Sequence, residues 1–173
     1  AEESLPAHVA YYPADLKRAG KLPVIAWGNG ACINAGNRFR YFLTEIASHG
    51  YLVLASGPLA KVELEVGPQE NPAVRAPGTA PATPPPAPVI NNNQRAPGRT
   101  TPEQLIEALT WAERENSSPT SKFYRRIDTT KMAVMGQSCG GVQALTVASD
   151  PRIKTLMIWN SAVGMIPNNP ADP

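Results

Sequence analysis

The sequence has few of the residues on which many functions depend. Only two histidines are present, His8 and His49, and only two cysteines, Cys32 and Cys139. Two cysteines allow one disulfide or two buried thiols. No metal site and no cofactor are expected. Charge of one sign is lacking: 16 basic residues face 14 acidic ones, for a net of +2. No basic run is long enough to track a phosphate backbone, which excludes nucleic acid as an expected partner. Apolar runs stay under ten residues, so nothing in the sequence spans a membrane. No signal peptide is visible. The chain starts at Ala1, without methionine, which reads as a processed or trimmed terminus. With the Asn116-Ser117-Ser118 glycosylation sequon, that start points toward a secreted protein.

What is present suffices for one domain: 173 residues, 42% of them hydrophobic. Residues 7–12 read as a strand stopped by Pro13. Pro23 opens a second strand through Val24-Ile25-Ala26-Trp27, apolar on both faces as a covered strand should be. Phe39, Phe42, Leu43 and Ile46 share one face of a helix predicted over 37–49, with Gly50 as its left-handed stop. Residues 51–55 form a third apolar strand. Nine of the 19 prolines fall between residues 67 and 100, a composition that builds no packed element and reads as a long surface loop.

Thr101, Pro102 and Gln104 form a capping-box start to a helix ending near Glu115, with Leu105, Ile106, Leu109 and Ala112 inward. Strands follow at 131–135 and 154–159. Between them lies a helix over 141–149 with Val142, Leu145 and Ala148 inward. Alternation of this kind predicts an α/β fold: a mostly parallel sheet of about five strands with helices on both faces.

The strongest chemical signal is Gly136-Gln137-Ser138-Cys139-Gly140, placed between an apolar strand and a helix. A strand that turns sharply into a helix strains the residue at its tip, and flanking glycines let the chain pass close by. The Ser138 hydroxyl then stands clear of the sheet as a nucleophile. The N–H of Cys139, at the positive end of the helix, points at an oxyanion. The competing reading is a glycine-rich turn of a nucleotide-binding fold, but no G-x-G-x-x-G or Walker pattern accompanies it.

A second signal, Trp27-Gly28-Asn29-Gly30-Ala31-Cys32, follows the second strand. It resembles the histidine-glycine oxyanion turn of α/β-hydrolases, with Asn29-Gly30 in the His-Gly place. That register makes the N–H of Ala31 the second oxyanion donor. Taken alone, the segment reads equally well as an ordinary glycine turn. Asn29, Gly30 and Trp159 are candidates for lining the substrate pocket; core packing is the alternative for Trp159.

Taken together, Trp-Gly-Asn-Gly, then Ala-Ser-His-Gly-Tyr-Leu-Val-Leu-Ala, then Gly-Gln-Ser-Cys-Gly-Gly resemble secreted α/β-hydrolases of the dienelactone-hydrolase, cutinase-like and polyester-hydrolase kind. The resemblance covers about residues 7–66 and 100–162. It implies ester hydrolysis by a Ser-His-Asp triad without a cofactor, on a small-molecule or polymeric ester. Only Ser138, Cys139 and Ala31 map onto matching positions. In this fold the oxyanion loops face each other, so Cys32 and Cys139 are candidates for a disulfide that braces the hole, with two buried thiols as the alternative.

One departure is large. The fold orders its triad as Ser, then acid, then His, and only one strand follows Ser138 here. His49 lies between a helix end and a strand start, on the edge opposite Ser138. His8 sits in an early strand. Asp150 closes the helix behind the motif, and Asp172 is in the tail. The expectation is a single, incomplete α/β-hydrolase domain over 1–173, weak or inactive alone because the serine proton has nowhere to go. Two rivals remain: a non-catalytic hydrolase-like scaffold that binds a ligand or partner, and an enzyme borrowing a partner subunit's histidine. Oligomeric state stays open.

Overall fold

In the computed structural model, residues 2–60 and 98–161 are described. The elements run β1 (His8–Tyr11), β2 (Leu22–Gly28), a 3-10 turn (Gly30–Cys32), α1 (Arg40–Ser48), β3 (Leu52–Ser56), α2 (Pro102–Ser117), β4 (Ile127–Gln137), α3 (Cys139–Thr146) and β5 (Ile153–Trp159). The strands form one five-stranded sheet in the order β1-β3-β2-β4-β5. β1 pairs antiparallel with β3; every other pairing is parallel. The fold is therefore α/β with a mostly parallel sheet, as the alternation of elements predicts.

Side chains alternate across the sheet, as the period of a strand requires. Val24, Ala26, Leu52, Leu54, Met132 and Val134 point to one face, where Leu105, Ala108, Leu109 and Trp111 of α2 and Ala144 of α3 cover them. Ile25, Trp27, Val53, Ala55 and Met135 point to the other, under Leu43 and Ala47 of α1. Helices thus lie on both faces. Among the described residues, no helix is long and apolar enough to cross a membrane.

The local punctuation acts as expected. Gly50 adopts φ 93° behind α1, and the Thr101 N–H donates to Gln104 Oε1 at 2.9 Å at the head of α2. Three expectations are corrected. β4 begins at Ile127, because its first residues pair with Leu22 and Pro23 before an irregularity in register. α3 spans 139–146, not 141–149, and buries Gly140, Gly141, Gln143 and Ala144. Val142, Leu145 and Ala148 are only partly covered, because the glycine face of α3 is the one that closes on the ends of β2 and β4. The sequon residue Asn116 sits in the last turns of α2, where its side-chain oxygen accepts the Ile127 N–H at 3.0 Å.

Most of the proline-rich segment expected as a loop, residues 67–97, lies outside the described residues. Its last three residues do not behave as free loop. Arg99 bridges to Ile33, and the Thr100 N–H donates to the Cys32 carbonyl at 2.8 Å.

Candidate active site

β2 and β4 are neighbours and end side by side at Gly28 and Gly136. From there β4 takes one more residue, Gln137, and the chain reverses at Ser138 with φ 52° and ψ −119°. A positive φ on a residue with a Cβ is strained and persists only where the surroundings enforce it. They do so here by closing on both backbone sides of Ser138. Its N–H donates to the Trp159 carbonyl at 2.9 Å; its carbonyl accepts from Gly141 N–H at 2.9 Å and from Ser161 Oγ at 2.7 Å.

The reversal brings three glycines into backbone contact. A Cβ on Gly28 would sit 2.8 Å from the Gly140 carbonyl oxygen. One on Gly140 would strike the Gly28 carbonyl, and one on Gly136 would strike the Gly140 carbonyl. This contact lets α3 start directly on the sheet edge, with Cys139 as its first residue. The first N–H groups of a helix have no intrahelical acceptor, so that of Cys139 is available to a ligand. Ser138 is partly exposed, and its hydroxyl makes no hydrogen bond among the described residues.

The loop after β2 builds the facing wall. Ala31 and Cys32 adopt φ 53° and 52°. The turn uses the N–H groups of Cys32 and Ile33, which donate to Asn29 and Gly30 carbonyls. That of Ala31 lies outside these bonds, on an exposed residue. Cys32 and Cys139 form a disulfide with Cα atoms 5.3 Å apart. The two loops expected to carry oxyanion donors are therefore covalently joined.

The structure corrects the pocket expectations. Asn29 is fully buried and cannot touch a substrate. Its Oδ1 accepts from Trp27 Nε1 at 3.1 Å, and its Nδ2 donates to the carbonyls of Ile33, Ala35 and Ser56. It is the clip that folds the loop. Gly30 is buried beneath the Gln137 side chain, which occupies the space a Cβ would need. Trp159 is joined to Ser138 by its carbonyl, but its ring points along the α1 face. There it meets Phe42 edge-on at 5.8 Å and lines a groove of about 560 Å³ with Met135, Met157 and Ile46. Neither Ser138, Ala31 nor Cys139 lines that groove.

Neither histidine approaches the elbow, the Ser138 turn from β4 into α3, in this architecture. His49 follows α1 at the amino end of the parallel strands, is exposed, and contacts Glu45 at 3.1 Å. His8 lies on the edge strand β1, buried, with Nε2 2.8 Å from the Gln104 carbonyl. Burial holds its pKa below the ordinary imidazole value, against the opposing pull of the Gln104 carbonyl and Glu107. Asp150 is held at about 2 by its hydrogen bonds to Arg152, so it is engaged behind α3. Sequence reasoning missed one tie. Gln143 on α3 donates to the Thr100 carbonyl at 2.6 Å, and Thr100 in turn holds Cys32.

A family model described as "PETase: PET hydrolase-like" matches residues 90–167. The chain resembles the polyester-hydrolase-like α/β-hydrolases. The matched stretch, somewhat under half of the chain, holds α2, β4, the Ser138 turn, α3 and β5. The polyester-hydrolase-like resemblance thus falls on the elbow itself; the Ala31 loop lies outside it. No curated protein matches the chain.

Proposed function

We propose that this chain carries the nucleophile and oxyanion half of a serine hydrolase for carboxylic esters, small or polymeric. The observation that carries the reading is the positive φ of Ser138, a partly exposed residue, at the turn from β4 into α3. In the proposed reaction, Ser138 Oγ attacks the ester carbonyl carbon. The N–H groups of Ala31 and Cys139 receive the developing oxyanion. The bond to the leaving alkoxide then breaks, and water later releases the acyl group from the serine. The PET hydrolase-like match supports an ester as the bond attacked. A secreted location accords with the disulfide, since such bonds persist in oxidising compartments.

A serine hydroxyl needs a base to accept its proton. The only histidines in the sequence, His8 and His49, are engaged elsewhere. In this reading the base comes from outside these 173 residues. The same observation favours a second reading, a hydrolase-like scaffold that binds without turning over.

A fluorophosphonate probe separates the two. Slow labelling that maps to Ser138 and vanishes in Ser138→Ala is the expected result. Labelling no faster in the native chain than in Ser138→Ala would leave the scaffold reading standing alone.

A further inference from the structure

We infer that the Cys32–Cys139 disulfide is a positioning element of the oxyanion site, setting the separation of the Ala31 and Cys139 N–H groups. The inference rests on the proposed function. Cys139 is one donor itself, and Cys32 directly follows the other. Few other ties act on this stretch. Asn29 grips the loop at its root and, through the Ile33 and Ala35 carbonyls, beyond its tip. Between these grips lie Ala31, exposed, and Cys32, both in the left-handed region that disfavours a side chain. Within the loop the tip is held by its own turn, Cys32 N–H to the Asn29 carbonyl and Ile33 N–H to the Gly30 carbonyl. Among the described residues, it is tied to the neighbouring elements by the disulfide to α3 and the Thr100 N–H bond to the Cys32 carbonyl.

The sheet does not need this cross-link to hold its strands. β2 and β4 already pair from Val24–Met132 to Gly28–Gly136, and α3 is seated by the glycine contacts. What the bond adds is local. It ties the strained tip to the first residue of α3. Thr100 and Gln143 run parallel to it from the same loop to the same helix. Without the covalent tie, Ala31 and Cys32 relax toward negative φ and the Ala31 N–H turns away from the oxyanion position.

The test compares phosphonylation of Ser138 in the full oxidised chain, in the Cys32→Ser/Cys139→Ser variant, and in the native chain reduced with a phosphine and then reoxidised. Both substitutions keep the backbone N–H groups. With one donor misplaced, the maximal labelling rate falls about 100-fold while the reversible affinity for the probe holds within about twofold. Reoxidation restores the rate. All samples are compared at a temperature where their near-ultraviolet circular dichroism coincides. A maximal rate within about threefold of the native chain, with only a lower melting midpoint, would overturn the inference. So would loss of fold by both routes, since the bond would then serve the whole sheet. Ser138→Ala, run in parallel, keeps the two readings apart. If the oxidised native chain labels no faster than Ser138→Ala, the catalytic reading itself fails. A rate lost only when the disulfide is broken supports both.

Discussion

The elbow and the neighbouring strand β5 are adjacent in the sheet and built on opposite terms. At the elbow, backbone meets backbone: Gly28, Gly136 and Gly140 leave no room for one added carbon. One strand away, β5 exposes Met157, Ile158 and Trp159 by 44, 39 and 42%. The first region has almost no freedom in sequence and the second has a great deal. Stability and site geometry are therefore concentrated where β2, β4 and α3 converge. The apolar surface of β5 contributes little to either.

The sharpest way to break this contrast is Gly140→Val. Its side chain would enter the Gly28 carbonyl, which is fixed in the sheet and has nowhere to go. Destabilisation of at least about 3 kcal/mol is expected, read as a drop in the denaturant midpoint. Asn29→Ala comes next. It strips the buried Trp27 Nε1 of its acceptor and three carbonyls of their donor. A loss of about 2 kcal/mol is expected from the unpaired groups. Slower labelling of Ser138 should accompany it, because the Ala31 loop loses its root.

These two residues also mark where the sequence stops being legible. The Gly-Gln-Ser-Cys-Gly run, the capping box at Thr101 and the stop at Gly50 are local devices, and their chemistry is readable in a few adjacent letters. So is the alternation of strands and helices. The contact of Gly28 with Gly140 joins residues far apart in sequence, and no spacing rule announces it. Asn29 illustrates the same limit. A polar residue in a glycine turn can face a substrate or four buried backbone and side-chain partners, and only the fold decides. On α3 the apolar letters Val142 and Leu145 suggest one inward face, whereas close approach to the sheet selects the glycine face instead. The cysteines left two alternatives open, since pairing depends on which loops meet.

A smaller effect is expected at His8, on the far edge of the sheet from β5. Burial lowers its pKa in the folded state, so the unfolded chain binds the proton more readily. Stability is therefore full above the ordinary imidazole value of about 6.5 and declines as pH falls through it. Among the described residues His8 Nδ1 has no partner, while Nε2 faces the Gln104 carbonyl. His8→Gln keeps a donor for that carbonyl and removes the titrating group. Melting midpoints followed between pH 7.5 and 5 should slope less in the variant. Equal slopes would place the acid sensitivity elsewhere.

The smallest change in stability belongs to β5, and it tests the comparison from the other side. Met157→Lys puts a charge on a strand with one paired neighbour among the described residues, β4, at a side chain that is partly open to water. Somewhat more than half of the Met157 surface is covered, but the apolar stem of a lysine can keep much of that contact while its charge reaches water, so stability should shift by no more than about 1 kcal/mol. Association should respond more. An unpaired apolar edge invites pairing with other chains, and a lysine there opposes it. Sedimentation should show less self-association in Met157→Lys at a little-changed denaturant midpoint. A loss of stability approaching that of Asn29→Ala would mean that β5 is covered in solution, and that its exposed side chains belong to the core after all.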